Sequence, residues 1–268
     1  MPELPEVETI KRELEREIKG RTIIKVKNLD AKVSKDSPIS LEKVKGRIRE
    51  IKRRAKLLLI FVDSLVLVIH LKLTGQLLYQ KKLQKDKSTR IVFYLNRGFL
   101  VFNDPRRFGF IKVFTEKQLK DYLQKVDYGI EPLSKKFTLD AFKKIIDNRE
   151  TKIKQLLMDQ SKIAGIGNVY SVESLFESRI LPTRTAKSLN EKEITTLYKA
   201  LRKILIKAIK YKGASVDTYL DLYGKKGKMV PFLKVYGREG KPCFRCKGKI
   251  KRIMLGGRGT YFCPSCQK

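Results

Sequence analysis

Histidine is almost missing from this chain: His70 is the only one. That excludes a histidine-based metal cluster. A Ser-His-Asp triad could be built only around His70, and no nucleophilic serine motif supports one. Walker-type phosphate loops and the dinucleotide fingerprint are absent too. Acidic residues are scarce, 28 Asp+Glu against 61 Lys+Arg, for a formal charge of +33. No apolar run is long enough to span a bilayer, since the longest, LLLIFVDSLVLVIHLKL (57–73), is broken by Asp63-Ser64, His70 and Lys72. It reads instead as two buried strands joined by a tight turn. No leader peptide is visible at the start. Cysteine is confined to four residues within the last 26, which excludes a disulfide framework for the whole fold and points to one local site.

What is present is a surplus of cations spread over the whole sequence rather than gathered in a tail. Charged faces on a folded body that meets a polyanion are expected, with nucleic acid as first candidate and an anionic membrane as second. At 268 residues, 42% of them hydrophobic, the chain can hold one large domain or two modest ones. Residues 5–18 (PEVETIKRELEREI) predict a helix stopped by Gly20, with Pro5 at its first position and Glu6 and Glu8 complementing the dipole. From about 21 to 114 the pattern is β, with turns at Asp63-Ser64 and Asn96-Arg97-Gly98, which predicts a sandwich or barrel. YGIEPLSKKFT (128–138) reads as a linker. Beyond it the period is helical: Ile194, Leu197, Leu201, Ile204, Leu205 and Ala208 share a face, Asn190 and Glu193 resemble a capping box, and Gly213 ends the helix. Shorter helices are expected at 138–147, 152–160 and 168–178, and 214–235 reads as a mobile loop.

Three stretches carry chemistry. In the tail, CFRC (243–246) and CPSC (263–266) stand sixteen residues apart, the pattern of a four-thiolate zinc ribbon. Cys243, Cys246, Cys263 and Cys266 are therefore expected to hold one structural zinc ion. Between them Arg258 is the only long side chain on a glycine-rich hairpin tip, suited to probing a groove or phosphate. FNDPRRFGF (102–110) sets Arg106, Arg107 and Phe108 on a turn, the parts needed to grip a backbone and wedge into a base stack. In QSKIAGIGNVY (160–170), Gly165 and Gly167 precede Asn168 at a helix start, where free N–H groups favour phosphate. The first residues, MPELPEVE, add an amine. Removal of Met1 would leave Pro2 as a secondary amine titrating near ~8, far more nucleophilic at neutral pH than lysine at ~10.4. Glu3 beside it could move a proton.

MPELPEVE, RRAK (53–56), DPRRFG (104–109), GIGNVY (165–170), VYGREG (235–240) and the terminal cysteine pairs, collinear over the whole chain, together resemble the formamidopyrimidine-DNA glycosylase family (Fpg, or MutM). The resemblance implies an α+β protein. Its parts would be an N-terminal β-sandwich opened by a catalytic helix (1–127), a linker (128–137), a helical helix–two-turn–helix domain with a lesion-capping loop (138–234) and a zinc ribbon (235–268). It implies a bifunctional glycosylase and AP lyase that flips an oxidised purine out of double-stranded DNA. Pro2 would attack C1′, Glu3 donate a proton at the sugar, Lys56 act in β-elimination and Arg258 in δ-elimination, with Glu6 supporting the site. Lys154, Asn168, Tyr236 and Arg149 would grip phosphates. Arg106 would read the opposite cytosine, with Arg107 beside it and Phe108 wedging into the stack, and the loop Val216–Tyr219, including Thr218, would close over the flipped base. The family's His-Leu-Gly-Met reads His70-Leu71-Lys72-Leu73 here, so His70 and Leu73 join the DNA-contact set, Leu73 filling the gap. Where the family often has a histidine, near residue 88, this chain offers Ser88 and Arg90, and Asp217 stands where an arginine is frequent. One active site per chain requires only a monomer, and a cytoplasmic, nucleoid-associated location is expected. The alternatives are the sister endonuclease VIII-like enzymes, acting on oxidised pyrimidines, and a non-catalytic zinc-ribbon protein binding nucleic acid. MPELPE and DPRRFG favour the purine branch.

Overall fold

A computed structural model describes all 268 residues. They form two compact units, Met1–Val126 with Ile209–Val230, and Asp127–Ala208 with Pro231–Lys268.

The first unit opens with α1 (Leu4–Ile18), whose Val7, Ile10, Leu14 and Ile18 recur at helical spacing and are completely buried. Eight antiparallel strands follow: β1 (Thr22–Asn28), β2 (Gly46–Arg54), β3 (Leu57–Val62), β4 (Leu65–His70), β5 (Gln76–Gln80), β6 (Thr89–Leu95), β7 (Phe99–Asn103) and β8 (Phe110–Thr115). Their order is β5-β7-β6-β1-β2-β3-β4-β8. The β1–β2 junction is held only by Thr22 opposite Arg47 and Ile23 opposite Gly46, so the sheet divides there into two halves. Phe93, Leu100 and Phe102 from one half and Ile51, Ile60, Leu67 and Val113 from the other belong to a single buried cluster that also takes in α1. Two sheet layers sharing one core are a sandwich, as expected. The Asp63 and Gly98 turns, both at positive φ, close β3–β4 and β6–β7.

Two elements had no clear sequence signal. β5 is a short edge strand in a polar setting, and α2 (Glu116–Val126) buries only Leu119, resting on β8 through a Tyr122–Phe114 stack at 4.9 Å. The stretch 214–230 is not a detached loop: Tyr219 and Leu222 are buried in the sandwich core.

The second unit contains α3 (Leu139–Ile146), α4 (Ile153–Met158), α5 (Asn168–Glu177) and α6 (Glu191–Lys210), with the ribbon strands β9 (Lys251–Leu255) and β10 (Arg258–Phe262). The capping box forms: Glu193 N donates to Asn190 Oδ1 and Asn190 N to Glu193 Oε2, each at 2.9 Å. All six apolar positions read from the α6 pattern are buried. Residues 128–137 are packed rather than linker-like. Ile130 bridges Ile163, and Phe137 is buried between the rings of Phe142 and Tyr198. No helix is long and apolar enough to cross a membrane.

Candidate active site

The start of α1 is held by one carboxylate with two duties. Glu6, buried, accepts from the N–H of Glu3 through Oε2 and from that of Ala214 through Oε1, both at 2.8 Å. Gly213 makes the second bond possible, because its φ is +80° and a Cβ there would lie 2.6 Å from Glu6 Oε1. Pro2 and Glu3 are both buried immediately ahead of the helix. Glu6 thus positions the residues beside it.

The same face of α1 continues into Glu13, 1% exposed. Its Oε1 pairs with Lys212 Nζ at 2.6 Å and its Oε2 accepts from Leu222 N at 3.0 Å. Lys212 also reaches Asp221 at 3.3 Å, and its pKa is raised mainly by the bond to Glu13. Tyr219 lies among these acids. Burial first, then the charges of Glu6, Glu13 and Asp221, push its phenol well above the ordinary range. Sequence reasoning missed Glu13 and Asp221, which sit in no motif.

Lys56 stands between β2 and β3 after Ala55, whose φ is +53°. Arg53 fixes this turn by donating to Ala55 O at 2.9 Å and to Glu8 on α1 at 2.9 Å. Burial would raise the Glu8 pKa, but its bonds from Arg53 and Arg12 outweigh that and hold it low. The pairing of Leu57 with His70 brings Lys56 to the end of β4. There His70 Nδ1 accepts from Lys72 N at 2.9 Å. Burial, then the charges of Lys72 and Lys56, lowers the His70 pKa to about 3, so at neutral pH the ring is uncharged and offers Nε2–H as a donor. Leu73 is half-buried, its carbonyl accepting from Thr218 Oγ1 at 3.3 Å, and Gln76 Nε2 donates to Thr218 O at 2.6 Å.

Asp104 builds the arginine turn. It is completely buried, and its oxygens accept from Arg106 N at 3.2 Å, Gly109 N at 2.7 Å and the Thr74 hydroxyl. This leaves Arg106 stacked over the Phe108 ring at 4.6 Å with both side chains at the surface. Arg107 pairs with Asp30 at 2.8 Å. Arg90, expected on DNA, is instead engaged inside the turn. It donates to Asp104 O at 2.9 Å and is 12% exposed, because the turn's own carbonyl needs a donor.

In the second unit three groups converge on β10. Lys154, 1% exposed, donates to Thr260 Oγ1 at 3.0 Å, and Asn168, at the first position of α5, donates through Nδ2 to Gly259 O at 2.9 Å. The Oδ1 of Asn168 is buried without a partner. Gly256, at φ +57°, lets the hairpin tip rest on Gln155 of α4, and a hollow of about 200 Å³ there is lined by Lys154, Gln155 and Arg258. Arg258 itself is exposed, as is Arg149 after α3. Tyr236 packs on Tyr261 at 5.2 Å and is fixed by Glu173, which sequence reasoning missed. Glu173 accepts from the N–H groups of Lys234, Val235 and Tyr236, and burial raises its pKa against those bonds.

The four cysteine sulfurs lie within 4.8 Å of one another, Cys243–Cys266 at 3.8 Å and Cys246–Cys263 at 3.5 Å. Thiolates at ~2.3 Å from a tetrahedral zinc ion stand about 3.8 Å apart, whereas a disulfide needs ~2.05 Å. The donor set therefore fits one structural zinc ion.

Comparison with known proteins agrees over the whole length. Three family models match: formamidopyrimidine-DNA glycosylase N-terminal domain over residues 1–111, the H2TH domain of the same enzymes over 128–219, and the zinc finger found in FPG and IleRS over 240–268. The formamidopyrimidine-DNA glycosylase of Heliobacterium modesticaldum is 42% identical and that of Herpetosiphon aurantiacus 40%, each match covering 100% of both chains. Among solved structures, a point mutant of the Lactococcus lactis FPG in complex with Fapy-dG-containing DNA superimposes with a TM-score of 0.93 at 35% identity, covering 100% of both chains. A MutM complex with DNA containing carbocyclic 8-oxo-G gives 0.92 at 34%, again over 100% of both chains. This chain belongs to the formamidopyrimidine-DNA glycosylase family.

Proposed function

We propose that the protein is a bifunctional DNA glycosylase and AP lyase of base excision repair, removing 8-oxoguanine opposite cytosine and formamidopyrimidines. The observation that carries the reading is Pro2-Glu3, buried directly ahead of a helix whose Glu6 fixes the Glu3 backbone. Removal of Met1 frees the Pro2 nitrogen from its amide. Its lone pair attacks C1′ of a flipped nucleotide, the C1′–N bond breaks, and the base leaves with a proton. Glu3 gives a proton to the sugar oxygen as the ring opens, leaving an iminium between Pro2 and C1′. Loss of a C2′ proton, aided by Lys56, expels the 3′ phosphate, and a second elimination, aided by Arg258, expels the 5′ phosphate. Water then hydrolyses the iminium and restores the amine.

Phosphate contacts are assigned to Lys154, Asn168, Tyr236, Arg149 and the neutral His70, whose Nε2–H is a donor. Arg106 reads the unpaired cytosine, with Arg107 beside it, while Phe108 and Leu73 replace the extruded base in the stack. Thr218 and its loop cover that base. Zinc takes no part in the bond changes and holds the ribbon that presents Arg258. Such a protein works at its polyanionic substrate, in the cytoplasm and on the nucleoid, and one chain suffices.

The test is borohydride trapping on a duplex with 8-oxoguanine opposite cytosine. A covalent adduct that disappears in Pro2→Gly is expected. Trapping only on an oxidised pyrimidine would move the protein to the sister branch. No adduct with either, from protein shown to lack Met1, would leave a non-catalytic binder.

A further inference from the structure

A basic hollow lies on the sandwich unit beyond the residues assigned to the lesion. It measures about 220 Å³ and is lined by Lys32, Lys35, Lys72 and Lys112, with Phe110 at its base and Asp36 the one acid. Four lysines against one aspartate leave +3. Asp36 does little to offset this, since it is 74% exposed and 4.0 Å from Lys112. The Nζ atoms of Lys72 and Lys112 lie 5.7 and 5.3 Å from the Phe110 ring centroid, so one aromatic face gathers both cations. Lys72 holds a φ of +50°, pinned by its N–H on His70 Nδ1. Glycine adopts that conformation without strain, so what lysine adds at this position is its charge.

The hollow is continuous with the arginine turn. Phe110 follows that turn directly, and Lys72 precedes Leu73. On the far side, Asp30 joins the two features: it pairs with Arg107 of the turn and its Oδ1 accepts from Lys32 N at 3.1 Å. A duplex lying over Arg106 and Phe108 therefore reaches the four lysines as it leaves the lesion.

We propose that this hollow binds backbone phosphates of the duplex on one flank of the lesion, lengthening the footprint without reading sequence. The inference rests on the glycosylase reading above. Its test is the salt dependence of affinity for a duplex carrying a tetrahydrofuran abasic analogue, measured by fluorescence anisotropy. In the triple variant Lys32→Gln, Lys35→Gln, Lys112→Gln the slope of log K against log salt should fall by about two, at ~0.9 per phosphate lost, with roughly tenfold weaker binding. Lys72→Gly, which also relaxes the left-handed backbone, should lower the slope by about one. Trimming the duplex arm on one side should weaken the wild type and leave the triple variant unmoved. An unchanged slope in both variants, or equal losses on trimming either arm in both proteins, would overturn the proposal. A wild type with no preference for the abasic analogue over intact duplex would overturn the glycosylase reading itself, and this one with it.

Discussion

The two ends of the chain fix their functional tips by different chemistry. At the N-terminus, Glu6, Glu13 and Glu17 lie along one face of α1 and take hold of 212–223 through Ala214 N, Lys212 Nζ, Leu222 N and the Tyr223 hydroxyl. At the C-terminus, two cysteine pairs and one zinc ion fix a hairpin whose apolar support is slight: Val172, Phe176, Val235 and Ile250 beside the buried Cys243 and Cys263. The first device is a set of separate carboxylate contacts, each adding a share. The second is one cluster in which losing a ligand loses the whole. Acids in so basic a protein thus have a structural role beyond the chemistry assigned to Glu3. A buried carboxylate that collects backbone N–H groups recurs in Glu6, Asp104 and Glu173.

The largest effect should come from the metal end. Cys263→Ala leaves three ligands around a small core, and ribbons of this size depend on their metal to fold. Zinc content, one per chain in the wild type by atomic absorption, should drop to none. DNA binding should be lost, while β-sheet circular dichroism from the sandwich is retained. Zinc retained at full stoichiometry would erase the contrast between the two ends.

The helix end should respond by degrees. Lys212→Met leaves Glu13 and Asp221, each 1% exposed, facing one another without their shared cation. Removing one partner of a buried ion pair costs about 3–5 kcal/mol, somewhat less here because Lys212 is itself 44% exposed. Adding Glu13→Gln should recover part of that loss, since the amide oxygen can still accept from Leu222 N. Urea denaturation of the single and double variants measures the coupling. Additive losses would mean that the two acids are not joined through Lys212.

What could be read from the sequence was local. The α1 and α6 stripes, the Asn190–Glu193 box, the strand turns and the cysteine pairs each lie within a short window, and the structure contains all of them. What could not be read depends on partners far along the chain. Glu13 is one acid in a polar stretch of helix until Lys212 and Leu222, some two hundred positions on, fold against it. Glu173 likewise gains its meaning from three N–H groups around position 235. Arg90 was misassigned for a related reason. Sequence records a positive charge but not whether it faces solvent or, as here, a carbonyl of the neighbouring turn. Asp104 was within reach, because aspartate before proline is a turn signal, yet the arginines beside it drew the functional reading.

The smallest expected effect sharpens the view of the helix end as the pH-responsive one. His70 is neutral in the fold, with a pKa lowered to about 3, while an unfolded histidine titrates near 6.5. Between those values the unfolded chain binds a proton that the folded chain refuses, so stability must fall as pH drops below about 6.5. Lowering the pH from 7.5 to 5 crosses about 1.5 units of that window, worth roughly 2 kcal/mol at 1.36 kcal/mol per unit. Glu8 works in the same direction, since its lowered pKa gives stability that is lost only as the pH approaches the carboxylate range. The two separate by mutation. His70→Gln keeps an acceptor for Lys72 N but cannot take up the proton, so its denaturation midpoints should stay nearly level from pH 7.5 to 5 and decline only below that, where the carboxylates titrate. If the variant and the wild type fall in parallel, His70 is not the group that makes this end of the molecule acid-sensitive, and Glu8 with its arginines takes that place.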